Sequence, residues 1–397
     1  NQKPFLLKVL FCETEKGLAM EIHFNCVKTF ILAIACVLLL PAVSSATEYW
    51  VYFVSLQNGI HVSSFDAATG AVTDPVLAAP EAKGMNFIAI HPDGRHLYTC
   101  KRDKSVAGTA VAYAIDTHSG KLKMINESSA KGGPAHISLD ATGHMAVLAN
   151  YANGSISSMP IKSDGSLGDV MSFFQETGGS VNPTRQLAPH PHSTTFSKDN
   201  RFAVVDDLGQ DKLLVYRTDI ASGDLTPHDP PFFKMKPGSG PRHMVFYPSG
   251  DYAYVINELA CTVTVLAYDQ KLGTFSEKQT VSTLPEGYAG VNTSAEIAIH
   301  PSGRFLYASN RGQDTIAVFR VDKHGERLTP VERVSTQGQC PRNFCLDPEG
   351  NYLFAANQNS DTVVVFRIDT KTGRLTPTGR ALNVPVPMCV NFVERRR

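Results

Sequence analysis

The chain has 397 residues, of which 43% are hydrophobic and 19% charged, enough apolar material for one large core or two ordinary ones. Lys and Arg together number 37 and so do Asp and Glu, so the net charge is zero and no long basic stripe exists. That removes the electrostatic case for a nucleic-acid partner.

In chain order the first feature is a leader. Met20 opens a segment with Lys28, an apolar run from Phe30 to Leu40, Pro41 and the small residues Ala42 to Ala46, the pattern of a secretory signal peptide. Cleavage after Ala46 is expected, giving a leader over 1–46 (signal peptide 20–46) and a single domain over 47–397. Residues 1–19 precede Met20, a natural start, and read as an over-extended start assignment. The apolar run is shorter than the ~20 residues of a helical membrane span, so no stable span is expected after cleavage. Cys36 is a poor lipidation site because the apolar run continues past it. Beyond the leader stand Cys100, Cys261, Cys340, Cys345 and Cys389, an odd, dispersed set that forms no disulfide framework and no zinc-ligand pattern; buried thiols on strands are expected.

From residue 47 the pattern is strand after strand, and one unit recurs. His91-Pro-Asp-Gly-Arg-His-Leu-Tyr, Asp140-Ala-Thr-Gly-His-Met-Ala-Val, Ser197-Lys-Asp-Asn-Arg-Phe-Ala-Val, Tyr247-Pro-Ser-Gly-Asp-Tyr-Ala-Tyr, His300-Pro-Ser-Gly-Arg-Phe-Leu-Tyr and Asp347-Pro-Glu-Gly-Asn-Tyr-Leu-Phe each join a turn to a strand. The turn position falls at 94, 143, 200, 250, 303 and 350, a period near 50, which is the spacing of propeller blades. Each copy continues into a third strand such as Thr315 to Val321, a Gly turn, and a fourth strand such as that from Leu328. Two fragments remain. Before the first copy lie strands at 49–55, 60–65 and 71–78, and at the C-terminus a lone strand, Met388 to Val393. Together they complete one more blade, so the fold class is all-β: a seven-bladed β-propeller closed by a C-terminal strand joining the N-terminal blade, with no sheet edge left open along the ring. The closing Arg395-Arg396-Arg397 reads as a solvated tail.

Aligned copies separate scaffold from site. The column ending the second strand holds Lys101, Asn150, Asp207, Asn257, Asn310 and Asn357, nearly uniform and therefore structural, a turn position whose side chain bonds local backbone. The next column varies freely: Arg102, Tyr151, Leu208, Glu258, Arg311, Gln358. So does the pair entering the first strand: Asn86-Phe87, Ala135-His136, His192-Ser193, Arg242-His243, Ala295-Glu296, Arg342-Asn343. Antiparallel order puts both variable columns at one mouth of the central channel, where a propeller builds a pocket. His136, His190, His192, His243, Glu258, Glu296, Arg242, Arg311 and Arg342 collect there, proton carriers beside guanidiniums, suited to an anionic, oxygen-rich small molecule and to acid/base chemistry with no metal and no cofactor. Two plainer readings compete: the histidines of Pro189-His-Pro-His-Ser order a loop, and Glu258 with Arg311 forms a structural ion pair between blades. No Gly-x-Ser-x-Gly elbow, His-Glu-x-x-His or phosphate-cradling loop is present, and Trp50 is the sole tryptophan, which rules out a repeating Trp-Asp blade motif.

Pro189-His-Pro-His-Ser, Gly240-Pro-Arg-His-Met, Asn257-Glu-Leu, Ser294-Ala-Glu-Ile with His300-Pro-Ser-Gly-Arg, Ser309-Asn-Arg-Gly and Ala356-Asn-Gln resemble the seven-bladed propeller lactonases. That family includes the propeller type of 6-phosphogluconolactonase and a fungal muconate-lactonizing cycloisomerase. The resemblance implies a site of one His, two Arg and one Glu, which by motif are His192, Arg242, Glu258 and Arg311, with His190 as the alternative imidazole. It implies hydrolysis of a sugar-derived or acidic lactone, with lactone formation from an unsaturated diacid and a non-catalytic binding propeller as the other readings. Either Glu258 or His192 is then the general base. The leader points to a periplasmic or secreted protein, and a monomer is expected.

Overall fold

The computed structural model describes residues 47–101 and 108–395. The leader expected over 1–46, Arg102 of the variable column, and Arg396 and Arg397 lie outside the described residues. Among the described residues, twenty-eight strands form seven four-stranded antiparallel sheets. Six are continuous in sequence, over 85–129 (blade 2), 136–175 (blade 3), 191–234 (blade 4), 241–282 (blade 5), 293–335 (blade 6) and 341–383 (blade 7). Blade 1 takes Glu48–Ser55, Gly59–Asp66 and Val76–Ala79 from the N-terminal side and its innermost strand, Pro387–Glu394, from the C-terminal side. That strand pairs with Glu48–Ser55 from Tyr49 opposite Glu394 to Ser55 opposite Pro387, which closes the ring as the repeat count requires. The strand expected over 71–78 is shorter, Val76–Ala79, because Val72 makes only an isolated bridge to Phe65.

The strands form for ordinary reasons: alternating β-branched and aromatic residues bounded by Gly-containing turns. Both faces of each sheet are covered by the neighbouring blades, so the middle strands are apolar on both sides rather than alternating, as in Tyr98, Thr99 and Cys100 or Phe354, Ala355 and Ala356, all fully buried. The core is a set of apolar clusters between adjacent blades, not a single centre. A buried tyrosine from a second strand hydrogen-bonds the turn carbonyl of the next blade four times over: Tyr52 to Gly120 (2.8 Å), Tyr98 to Gly165 (2.8 Å), Tyr254 to Gly325 (2.8 Å) and Tyr307 to Gly373 (3.0 Å).

First strands touch one another in a closed cycle around the channel. At the same point in each of five blades they carry a register shift against the second strand, at Met85/Phe87, Pro191/Ser193, Pro241/His243, Ser294/Ile297 and Pro341/Asn343. A bulge inserts an extra residue, so two consecutive side chains that would face opposite ways both turn toward the channel. Asn86, His192, Arg242 and Arg342 are the extra residues.

Arg395 departs from the solvated tail expected of it. Its Nη1 donates to Glu48 Oε2 at 2.6 Å and its guanidinium lies 4.7 Å over the Trp50 ring, so it fastens the closing strand to the first one. The five described cysteines are free; Cys100, Cys345 and Cys389 lie on strands, whereas Cys261 and Cys340 sit in loops.

Candidate active site

The loops leaving the second strands are shaped by the uniform column. Asn150, Asn257, Asn310 and Asn357 are fully buried, and their amides donate to the third strand and to neighbouring carbonyls, as from Asn257 to Thr262 and Thr264 and from Asn357 to the Thr336 carbonyl. The structural role holds, but the unusual dihedral lies four residues later, at Asp211, Cys261, Asp314 and Asp361, with φ of 55°, 53°, 55° and 56°. From there the carboxylates reach the next blade. Asp211 accepts from the Gly240 N–H (2.6 Å), Asp314 from Cys340 (2.8 Å) and Asp361 from Val386 (2.8 Å), each just before an inner strand. The backbone that feeds the bulges of blades 5 and 7, and the start of the closing strand, is thereby held by the preceding blade.

At the mouth, Glu258 is the centre of charge. Its Oε1 accepts from Arg185 Nη2 at 2.6 Å; its Oε2 accepts from Arg242 Nε at 3.1 Å and lies 2.9 Å from Arg311 Nη2. Burial alone would raise its pKa, yet Arg311, Arg242 and Arg185 hold it down to about 2. The ion pair between Glu258 and Arg311 that the sequence left open is thus present, as one part of a larger cluster. Arg242, buried, also donates to the Ala295 carbonyl (2.6 Å), while Arg311 donates to Ser294 O (3.0 Å) and keeps a buried Nε without a partner.

His192 sits beside this cluster in a narrow cleft with Arg242, Arg342, Asn86 and Met388. Its ring is buried, Nδ1 has no hydrogen-bond partner, and burial together with Arg242, His243, Arg342 and Arg311 pushes its pKa well below 6.5. It is a neutral imidazole facing cations. His190 differs: its ring stacks on Tyr151 at 4.5 Å, its Nδ1 donates to the Tyr151 carbonyl at 3.0 Å, and its backbone N–H is held by Asp207. Of the two imidazoles, His190 orders the loop and His192 lines the cleft.

One layer deeper, His243, Glu296 and Asn343 form a hydrogen-bonded floor. His243 Nδ1 donates to Glu296 Oε1 (2.8 Å), Asn343 Nδ2 donates to Glu296 Oε2 (2.5 Å), and Asn343 Oδ1 accepts from the Val390 N–H of the closing strand (2.9 Å). Arg242 Nη1 donates to His243 Nε2 at 3.2 Å, which joins floor and mouth. Burial disfavours the His243 cation more than Glu296 supports it, so its pKa is lowered. His136 lies against Phe87, ring centroids 4.0 Å apart, at the top of a cavity of about 520 Å³ that runs down the channel to Lys198 and Asn200 at the turn face. Burial, His243 and Arg242 keep it neutral.

The structure therefore sorts the nine expected residues. His192, Arg242, Glu258, Arg311 and Arg342 converge at the mouth, His243 and Glu296 form the floor, His136 lies beneath it, and His190 braces the rim. Three contributors went unseen. Arg185, its side chain 37% exposed, comes from the 176–190 loop between blades 3 and 4, which Ser180 ties to Asp211 at 2.6 Å. The signal for it was the 57-residue gap between the turns at 143 and 200, the widest in the repeat. Tyr151 and Asn343 were in the variable columns but lacked charge to single them out.

A family model described as "Lactonase, 7-bladed beta-propeller" matches residues 43–392. The chain is 37% identical over 339 residues to a 6-phosphogluconolactonase of Bacillus subtilis, covering 85% of this chain and 95% of that one. It is 34% identical over 296 residues to a 6-phosphogluconolactonase of Formosa agariphila, covering 73% and 82%. Among solved structures, the periplasmic gluconolactonase of Pseudomonas aeruginosa superposes with a TM-score of 0.82 at 32% identity, over 88% of this chain and all of that one. With its seven blades, its motifs in order and these likenesses over most of its length, the chain belongs to the seven-bladed β-propeller lactonase family.

Proposed function

We propose that the protein hydrolyses a sugar-derived or other acidic lactone at the channel mouth, in the periplasm, with His192 as general base and Arg242, Arg311 and Arg342 as the cationic surround of substrate and oxyanion. The observation that carries this reading is the pairing of an uncommitted neutral imidazole, His192, with a guanidinium cluster organised on one carboxylate, Glu258. A carboxylate held to about 2 by three guanidiniums is a poor proton acceptor, so Glu258 serves as the positioning residue and His192 takes the proton. Water loses a proton to the imidazole as its oxygen adds to the lactone carbonyl. The oxyanion that forms is held by guanidinium donors already in place. Collapse breaks the ring C–O bond, and the imidazolium returns the proton to the leaving alkoxide, giving the open hydroxy acid. Arg185, at the exposed rim, is placed to meet an anionic substituent of the substrate first. The periplasmic assignment is supported by the leader in the sequence and by the name of the Pseudomonas relative.

The test is a lactone panel, with and without a 6-phosphate, assayed by acid release alongside an unsaturated diacid for the cyclising reaction. His192→Asn should lower kcat by about 10²–10⁴-fold, the usual contribution of general base catalysis. Glu258→Gln, which leaves three guanidiniums without their anchor, should lower kcat/KM by about 10²-fold or more. Undiminished turnover in His192→Asn would sink the assignment of the base, and turnover of the diacid alone would replace hydrolysis by cyclisation.

A further inference from the structure

The turn of blade 2 holds a group that the lactone chemistry does not use. We propose that His91, Asp93 and His96 form a binding site for a divalent transition metal of the zinc type, on the face of the disc opposite the candidate active site.

The six related turns of this one chain supply the comparison. In blade 6, His300 donates from Nε2 to the Gly350 carbonyl (2.8 Å), and its Nδ1 lies 2.8 Å from the Ser302 hydroxyl and accepts from the Ser302 N–H at 3.1 Å. A hydroxyl is a donor, so that arrangement is complete. In blade 2 the same backbone positions read His91-Pro-Asp-Gly-Arg-His. His91 again donates from Nε2 to a turn carbonyl, that of Gly143 at 3.0 Å, and its Nδ1 accepts from the Asp93 N–H at 3.2 Å, as His300 does from Ser302. In place of the hydroxyl stands the Asp93 carboxylate, Oδ1 3.0 Å from Nδ1. Unlike the hydroxyl, a carboxylate brings Nδ1 no proton, so beyond the backbone N–H groups of Asp93 and Arg95 the pair has room for a bridging proton or metal cation. In place of Phe305 stands His96, whose Nδ1 is 2.8 Å from Asp93 Oδ2. Each of the other five turns lacks at least two of these three side chains at the corresponding positions.

All three ligand atoms lie within 4.8 Å of one another. Zinc bonds imidazole and carboxylate at about 2.0–2.2 Å, so neighbouring ligand atoms in its sphere stand roughly 3 Å apart, and small side-chain rotations bring this set to that spacing. The Nε2–H to carbonyl bond of His91 is the outer support that metal-bound imidazoles ordinarily have, turning the Nδ1 lone pair toward Asp93, where a metal would replace the 3.2 Å contact from the Asp93 N–H. Two imidazoles with one carboxylate favour zinc over calcium or magnesium, which prefer all-oxygen sites. The side chains are 16%, 32% and 19% exposed, so the outer side of the site is open to water as remaining ligand. His91 reaches Gly143, and His96 packs over Gly165, where an added Cβ would come within 2.4 Å of its ring; both glycines belong to blade 3. A metal here therefore ties blade 2 to blade 3, a structural role independent of the lactonase reading.

The experiment uses the full chain stripped with a chelator and titrated with zinc by equilibrium dialysis, with thermal unfolding in parallel. Asp93→Ser and His96→Phe install the residues that blade 6 already carries at these positions, so both should fold. Wild type should bind one equivalent and show a zinc-dependent rise in Tm, since a ligand that binds only the folded state stabilises it. Each variant should bind at least about tenfold more weakly, lose the rise, and keep its lactone turnover. No zinc on the wild type, or equal zinc on wild type and the double variant, would overturn the site and leave the three side chains an ordinary hydrogen-bonded turn.

Discussion

At the scale of single residues, the site is a problem of placing charge in a buried space. Glu258, 5% exposed, faces three guanidiniums, and the resulting cluster keeps one net positive field over His192. The consequence for pH dependence has a definite sign. In the free protein burial and four neighbouring groups oppose the His192 cation and hold its pKa well below 6.5, so the neutral form that the proposed mechanism needs persists through the neutral range. An anionic substrate offsets the guanidiniums and raises that pKa in the complex. The acid limb of kcat/KM, which reports the free protein, should therefore lie below pH 6.5, and the acid limb of kcat at a higher pH than that of kcat/KM. Paired pH–rate profiles check this; the reverse order would remove His192 as the base. These identities were readable in the sequence because the variable columns swing between Arg, Glu and His among otherwise similar copies. Arg185 was not, since it comes from a loop outside the repeat and reaches Glu258 only through the fold.

At the scale of elements, the blades show why a column reading stops short of a site. The sequence places Arg242 and His243 in one pair without saying which way either points; in a regular strand they would face opposite sides. The bulge at Pro241/His243 turns both inward and at different depths, Arg242 to the mouth and His243 to the floor. No residue type announces that bulge, and the Asp211 bond that holds Gly240 just before it comes from across the blade boundary. The tyrosine bonds are a second inter-blade device. Tyr254→Phe removes the donor to Gly325 while keeping the ring in place, so it should lower stability by about 1–3 kcal/mol, the cost of an unsatisfied buried carbonyl, with kcat unchanged. Denaturant unfolding measures it, and a loss of kcat in place of stability would show that the bond serves the mouth instead.

At the scale of the whole molecule, closure is the decisive event. Pro387–Glu394 is the innermost strand of blade 1, and its Val390 N–H completes the floor through Asn343. Truncation after Asn383 would leave Glu48–Ser55 as an open edge and uncover the apolar faces of Tyr52, Phe53 and Val54, so the shortened chain should aggregate, read by size-exclusion chromatography of the soluble fraction. A soluble monomer with full activity would contradict the closure argument. Even Arg395, which the sequence offers only as part of a basic tail, acts in closure through Glu48 and Trp50. By itself the sequence determined the blade count, the closing strand and the rim that carries the candidate site, because each rests on a short-range pattern of turn and strand repeated at a fixed spacing. Only the tertiary structure decided which side chains share the mouth, which form its floor, and that three arginines from different blades and one loop meet on a single carboxylate. Those facts depend on bulges and on bonds between residues from 16 apart, Arg242 to Glu258, to 73 apart, Arg185 to Glu258, and a local pattern carries no record of them.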